Sequence, residues 1–430
     1  MNKSGSVTDR FAAIYFLIFV AFVLIATGRW ANIYIEHDDW DFMIRPEFSL
    51  YATPWGKTLS EGRWINYLWS LFAIYVPART LFVIFITGYA TLCWVLSSCL
   101  NRDSIRKFLV AAAIFVCPVY SFFSTWPATL SPSVWISSAL VYFLFAKRDR
   151  LISYALLSFT LSLTYPPLGL VCLVFLQGDS SNCKQTFKAC CVYFFGFVAG
   201  VATIYALNYY YHGHLGLVPE GWRNYHAISN YQDAVFNFKK TLKTLVFFWD
   251  TFDFALIITA ICLIIGAIRR SPHAIPFCLV FLFCFGLDFA LVFYTGMDVS
   301  DRNFIWPWFM AVASVCIFLL NDRPYKFCEI IAFALLIITL FVGFKHWVLD
   351  SNYFNKVNQY VELIGTEIDS QKSTRVGLCG ETKYVHVFTI QMMVKKKYDI
   401  DTYLATQVEC ANINAPGLTT VDGASYYRFR

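Results

Sequence analysis

The stretch FAAIYFLIFVAFVLIAT, residues 11–27, carries no charged residue and is the first of many such runs in the chain. Its length approaches the roughly 20 apolar residues that a membrane-spanning helix needs. The whole chain is 58% hydrophobic and 14% charged, whereas soluble domains carry about 25% charged residues. The composition therefore predicts an integral membrane protein and excludes an ordinary soluble domain.

The flanks of this first run separate a retained span from a signal peptide. Lys3 and Arg10 precede it, as they would in a signal peptide, but no small-residue cleavage motif follows Thr27. We therefore expect a retained first span. The net charge of +6 does not indicate nucleic-acid binding, because Lys and Arg lie mostly in short loops between apolar runs, where the positive-inside rule puts them.

Further apolar runs of membrane length follow. They are residues 80–100, 108–123, 132–146, 187–207, 245–268, 274–295, 304–320 and 327–344. The run 151–177 is broken by Tyr165-Pro166-Pro167, and we interpret it as a hairpin of two short helices. With the hairpin, Lys and Arg gather on alternate loops, which favours an all-α polytopic membrane protein of about 11 transmembrane helices.

This alternation predicts a transmembrane domain, residues 1–344, with a cytoplasmic N-terminus and a periplasmic C-terminus. The outer loops are 29–63, 209–243 and 296–302. The apolar stretch 64–76 is then a helix at the membrane surface. Residues 345–430 mix short alternating runs with Gly and Lys turns, which predicts a small periplasmic α/β domain. Its two cysteines, Cys379 and Cys410, could form a disulfide or remain free thiols.

The first outer loop contains YIEHDDWDFMIRPEF, residues 34–48, with five carboxylates close behind the first span. Asp38 and Asp39 are adjacent and cannot point in one direction on a helix or strand, so one could face a cavity while the other holds the loop. A carboxylate near hydrocarbon has a raised pKa, which suits a general base acting on a sugar hydroxyl. The alternative is a solvated acidic loop that ends the first span.

Three further outer stretches combine carboxylates, arginines and tryptophans. They are EGRW (61–64), EGWRNYH (220–226) and GMDVSDRNFIW (296–306). Tryptophan faces stack on sugar rings, carboxylates accept hydrogen bonds from hydroxyls, and arginine forks bind phosphate. The combination predicts a hydroxylated, charged substrate at the outer face.

The order of these features resembles the membrane-embedded glycosyltransferases of the GT-C type. The matching residues are Asp38-Asp39 after the first span and Glu61-Gly62-Arg63-Trp64 before an apolar helix, and the similar organisation covers the whole chain. Within that type the chain is most similar to the serotype-converting O-antigen glucosyltransferases, the Gtr group. The resemblance implies transfer of a sugar, usually glucose, from a polyprenyl-phosphate donor. The implied acceptor is a lipid-linked or growing O-antigen of lipopolysaccharide, on the periplasmic side of the bacterial inner membrane.

The resemblance implies the catalytic acid, and the charged and aromatic residues of the outer loops supply candidates for the other roles. An acid of the first outer loop lies at the reacting centre, here Asp39 by preference and Asp38 next, and deprotonates the acceptor hydroxyl. The candidates for binding the donor phosphate are Arg63, Arg302 and Arg223. The candidates for binding the rest of the substrate are Asp41, Trp40, Glu61, Trp64, Trp222, Asp298 and Asp301. No cofactor or metal site is predicted, although a divalent ion could be held by Asp38, Asp39 and Asp298.

Simpler roles and other functions stay open at this stage. Arg63 could anchor the interface beside Trp64, Arg302 could pair with a neighbouring aspartate, and Arg223 could be solvated. An O-antigen polymerase or ligase would favour an arginine-rich outer loop. Arg223 is the only arginine among residues 209–243. A flippase or transporter for a lipid-linked saccharide would need ionisable groups inside several spans. Asp288 is such a group, and it could line a cavity or hydrogen-bond to a neighbouring helix.

Overall fold

The structure is a computed structural model. It describes residues 3–36, 38–43, 53–101, 103–145, 151–177, 179–321, 325–371, 375–380, 387–398, 400–411, 413, 416–421 and 424–429. Within these ranges, only the backbone is described at 3–7, 145, 222, 301 and 396.

The protein is mostly helical, at 76%. The helices, in chain order, are α1 (Lys3–Ala26), α2 (Pro54–Glu61), α3 (Trp64–Ala73), α4 (Ala78–Leu100), α5 (Ser104–Phe115), α6 (Pro118–Phe123), α7 (Pro127–Phe145), α8 (Ile152–Ser162), α9 (Pro166–Gln177), α10 (Cys183–His212), α11 (Tyr231–Ile268), α12 (Ala274–Thr295), α13 (Trp306–Val315), α14 (Lys326–Ser370), α15 (Val387–Tyr398) and α16 (Gln407–Cys410). The strands are β1 (Arg375–Cys379), β2 (Asp401–Leu404), β3 (Gly417–Val421) and β4 (Ala424–Arg428).

Among the described residues, six helices are long and apolar enough to cross a membrane: α1, α4, α10, α11, α12 and α14. These six helices support the expectation from the composition that the chain is a membrane protein. The expected count of about eleven spans is not confirmed, because α8, α9 and α13 are shorter than a full span. The run 108–123 is also divided into α5 and α6, since Pro118 begins α6 and has no N–H to continue the preceding helix.

The predicted break in the run 151–177 is confirmed. Helix α8 ends at Ser162 and α9 begins at Pro166, with Tyr165 buried between them. Helix α10 packs closely against α8 at Gly200. A Cβ at this position would clash with the Ser162 hydroxyl. Small residues at such contacts let two helix backbones approach, as in other membrane bundles.

The helix core is centred on α13, whose side chains are all buried. Its indole groups hydrogen-bond to neighbouring helices: Trp308 Nε1 donates to the Ala113 carbonyl at 2.9 Å, and Trp306 Nε1 donates to Asp288 Oδ2 at 2.7 Å. Asp288 therefore has the second of its two expected roles, a hydrogen bond to a neighbouring helix.

The C-terminal unit contains a small mixed sheet, and within the described residues its strand order is β2-β1-β4-β3. Strand β1 is parallel to β2 and β4, while β3 and β4 are antiparallel. The later part of α14 packs on this sheet through Val357, Val361 and Ile364. Helix α14 continues unbroken across the expected domain boundary between residues 344 and 345. Cys379 and Cys410 form a disulfide, with Cα atoms 5.6 Å apart.

Candidate functional site

Asp39 holds the loop that follows α1 against the start of α7. Its carboxylate accepts the backbone N–H of Ala128 at 2.8 Å and of Thr129 at 2.7 Å. The first N–H groups of a helix have no partner inside the helix, and the helix dipole favours a negative group there. Asp39 supplies that group from another part of the chain, and its side chain is fully buried.

Burial raises the pKa of Asp39 to about 7, and the hydrogen bonds from Thr129 and Ala128 partly oppose this shift. A raised pKa suits a general base, but a base must also reach the proton that it takes, and geometry is the first requirement. The carboxylate of Asp39 faces the backbone of α7. Its position therefore favours anchoring the loop over acting on a substrate.

Replacing Asp39 with Asn tests this anchoring. The Asn amide has one acceptor oxygen, so it can accept only one of the two α7 N–H groups. Its own NH₂ group then faces the other N–H, and that buried N–H loses its partner. We expect the free energy of unfolding to fall by about 1–3 kcal/mol, seen as an earlier thermal transition of the detergent-solubilised protein. Glu36→Gln in the same loop is the control. An Asp39→Asn protein with unchanged stability and no activity would instead put Asp39 at the reacting centre.

Asp38, the neighbour of Asp39, lines a small cavity. Its Oδ1 accepts a hydrogen bond from the indole N–H of Trp126, and its Oδ2 forms an ion pair with Lys57 at 3.1 Å. Lys57 is only 2% exposed, whereas the Asp38 side chain is 26% exposed at the cavity. The two adjacent aspartates thus divide the two roles that the sequence left open, with Asp38 at the cavity and Asp39 in the loop.

The same cavity contains two arginines from distant parts of the chain. Arg63 and Arg302 line it together with Asp38, Trp126 and Tyr165. The Arg302 guanidinium lies 4.9 Å from the centroid of the Trp126 ring, and the Arg63 guanidinium lies 5.8 Å from that of Tyr165. The Tyr165 hydroxyl donates to the Arg302 carbonyl at 2.7 Å. The free volume, about 10 Å³, is that of about one water molecule, so a larger ligand requires these side chains to separate.

An apolar groove of about 490 Å³ lies along the helices that border this cavity. Helix α3, which starts after Arg63, contributes Leu68 and Phe72, and α7 contributes Trp135 and Ile136. Helix α7 also carries Thr129, which lines the cavity. One helix therefore passes from a charged cavity to an apolar groove.

The corner between α2 and α3 holds an ion-pair triad of Arg63, Glu61 and Arg223. Arg63 Nε lies 2.6 Å from Glu61 Oε2, and Arg223 Nη2 donates to Glu61 Oε1 at 2.6 Å. Gly62 makes the corner with a φ of +73°, and Ile204 leaves no space for a Cβ there. Burial raises the pKa of Glu61, but the charges of Arg63, Lys57 and Arg223 outweigh it and lower that pKa to about 2. The carboxylate of Glu61 is therefore ionised at neutral pH.

Other predicted substrate-binding residues have different surroundings. Trp40 packs with Ile35 of the same loop and with Phe388 of α15. Asp41 is buried, at 3% exposure. Trp64 is 8% exposed, and its Nε1 donates to Asn208 Oδ1 at 3.0 Å. These side chains contribute to packing around the loop and the corner.

The remaining predicted residues lie in the loops before α11 and after α12. Asp298 forms an ion pair with Lys240 at 3.0 Å and accepts a hydrogen bond from Asn224 Nδ2 at 2.7 Å. The side chains of Trp222 and Asp301 lie outside the described part of the chain. No group of three His, Cys, Asp or Glu residues that could hold a metal ion occurs among the described residues.

The structure thus brings together Asp38, Arg63 and Arg302 of the predicted residues, and it adds Lys57, Trp126 and Tyr165. Lys57 lies between the acidic pair and EGRW in the sequence. A lysine so close to both motifs could have indicated that it belongs to the site. Trp126 and Tyr165 come from short turns without Lys or Arg, and no charged residue in their local sequence indicates a site. In comparisons with known proteins, no protein-family model, no curated protein and no solved structure matches the chain.

Proposed function

We propose that this protein is a membrane-embedded glycosyltransferase of the GT-C type. It would transfer a sugar, glucose by resemblance to the Gtr group, from a polyprenyl-phosphate donor to an O-antigen or another surface polysaccharide. The observation that carries the proposal is the shared cavity of Asp38, Arg63 and Arg302, beside an apolar groove. The carboxylate matches a hydroxyl nucleophile, and the two guanidinium groups match a phosphate. The apolar groove matches a lipid chain.

The chemistry is a direct displacement at the anomeric carbon of the donor sugar. Asp38 takes the proton of the acceptor hydroxyl while the acceptor oxygen bonds to that carbon. The bond from the anomeric carbon to the phosphate oxygen breaks, and its electron pair leaves with the polyprenyl phosphate. Arg63 and Arg302 stabilise the negative charge that develops on the leaving group, so no general acid is needed.

Asp38 replaces Asp39 as the preferred base in this mechanism. The carboxylate of Asp39 binds the start of α7, whereas that of Asp38 lines the cavity with both arginines. The ion pair with Lys57 and the hydrogen bond from Trp126 hold the Asp38 carboxylate in one orientation at the cavity. The groove along α3 and α7 would hold the first isoprene units of the donor, whose phosphate lies at the arginines.

A flippase or transporter receives less support from the described residues. Of the acids within the predicted spans, Asp288 is bound by the Trp306 indole, whereas Asp250 and Asp253 lie on the exposed surface of α11. A transport pathway through the bundle would need such a group to face a continuous cavity at mid-depth. The charged cavity instead lies among the loops and helix ends that carry Asp38, Arg63 and Arg302.

The decisive experiment is expression of the chain in a bacterial host with smooth lipopolysaccharide. Mass spectrometry of the isolated O-antigen should show an added hexose on the repeating unit, and the Asp38→Asn protein should add about 10²–10⁴-fold less. An O-antigen of unchanged composition, with the wild-type protein present in the membrane, would contradict transfer to this acceptor.

The proposed topology has about eleven membrane segments, six long and the others short, in the bacterial inner membrane. It leaves the N-terminus in the cytoplasm and the sheet-bearing C-terminal unit in the periplasm. A phosphatase that is active only in the periplasm should therefore be active when fused after Arg430. An inactive fusion there, together with an active one at residue 102, would reverse the orientation.

A further inference from the structure

We propose that Glu61 and Arg223 are positioning residues that hold the two cavity arginines in one frame. Glu61 orients Arg63, and Arg223 fastens the corner between α2 and α3 to the loop that carries Arg302. The structural part of this inference is independent of the reaction. Only its consequence for ligand binding rests on the proposed function, in which Arg63 and Arg302 face a phosphate.

The first step is the environment of the Glu61 carboxylate. Each oxygen contacts a different guanidinium group, at 2.6 Å to Arg63 and 2.6 Å to Arg223, and the side chain is 10% exposed. A carboxylate enclosed in this way neutralises two cations that would otherwise repel each other. These surroundings favour a role for Glu61 in positioning the two arginines. The sequence alone predicts that Glu61 contacts the substrate.

The second step is the backbone of Arg223. Its carbonyl accepts the N–H of Asp298 at 2.9 Å, and the next residue, Asn224, donates through Nδ2 to Asp298 Oδ2 at 2.7 Å. Asn224 has a φ of +46°, the left-handed conformation that asparagine tolerates better than most residues. The segment between α12 and α13 is therefore fastened to residues 223 and 224 at Asp298.

The third step joins these contacts into one path. Arg63 and Arg302 are more than two hundred residues apart in the chain and reach the cavity from different loops. From Arg63 the path runs by direct contacts through Glu61 and Arg223 to Asp298, and from Asp298 it follows the backbone to Arg302. Removing one partner of a buried ion pair leaves an uncompensated charge, which disrupts the local geometry strongly.

Hydrogen exchange of the Asp298 amide tests the frame without any ligand. In Glu61→Gln and Arg223→Ala, this amide should exchange roughly tenfold faster than in the wild type, because local opening becomes easier. Arg223→Lys, which keeps the charge but lacks the fork, should give an intermediate rate if the alanine variant folds poorly. His214→Gln, at an exposed position of the same loop and outside the triad, is the matched control. Unchanged exchange in all three triad variants would overturn the proposal.

A double-mutant cycle tests the consequence for binding, with decaprenyl phosphate as the probe and the detergent-solubilised full chain as the protein. Glu61→Gln should weaken binding about tenfold in the wild type and less than about twofold when Arg63 is already Ala, because Glu61 acts through Arg63. Equal effects in both backgrounds would mean that Glu61 does not act through Arg63 and would overturn the proposal that it orients Arg63. If the wild type binds no lipid phosphate while Asp298 exchange rises as expected, the frame stands and the proposed function fails.

Discussion

Replacing Asp38 with Asn should lower sugar transfer by about 10²–10⁴-fold, while the protein reaches the membrane at its normal level. Asparagine keeps the shape of the side chain and still accepts the Trp126 N–H, but it cannot take a proton from the acceptor hydroxyl. The measurement is the amount of added sugar on the O-antigen, compared at matched amounts of membrane protein. The size of the loss reflects removal of a positioned base.

The control for this variant must separate lost chemistry from lost stability, because Asp38→Asn leaves the buried Lys57 without its ion-pair partner. A second variant, Asp38→Asn with Lys57→Met, removes that uncompensated charge and should fold at least as well. It should stay inactive. Glu36→Gln, in the same loop, should transfer sugar at nearly the wild-type rate, as should Glu47→Gln, although Glu47 lies outside the described residues. Near-normal transfer by Asp38→Asn would move the base elsewhere, first to Asp298 or Asp301.

The split between Asp38 and Asp39 shows how far the sequence reaches. That two adjacent side chains point in different directions follows from backbone geometry alone, and the structure confirms it. Which of the two faces the cavity depends on Ala128 and Thr129, about ninety residues further along the chain. A contact across that separation leaves no local pattern, so the sequence favoured Asp39 without the information needed to choose.

The helix breaks show the same boundary between local and distant causes. The break at Tyr165 was predictable, because two consecutive prolines disfavour a continuous helix.

The roles of Trp64 and Glu61 were not predictable in the same way. Trp64 hydrogen-bonds to Asn208 of α10, and Glu61 pairs with Arg223 of the loop between α10 and α11. A residue type that suits sugar binding also suits packing, and only the tertiary partners distinguish the two.

The two cavity arginines give the other large expected effect. Arg63→Ala and Arg302→Ala should each lower turnover by roughly 10–150-fold, since each removes a charge-assisted phosphate contact worth about 1.5–3 kcal/mol. Arg63→Lys should recover only part of the activity, because an ammonium group lacks the planar fork that binds two phosphate oxygens at once. Turnover would be measured with purified protein and a polyprenyl-phosphate sugar, over a range of donor concentrations.

The matched control is Arg79→Ala, because Arg79 is another arginine near the first loop but outside the cavity. It donates to the Trp30 carbonyl at 3.1 Å and lies over the Trp30 ring, so its loss should leave turnover nearly unchanged. Two outcomes separate the arginines from each other. A loss confined to Arg63→Ala would assign the phosphate to the corner between α2 and α3, and a loss confined to Arg302→Ala would assign it to the Trp126 side. Full activity in both alanine variants would contradict a phosphate in this cavity, because no other guanidinium lines it among the described residues.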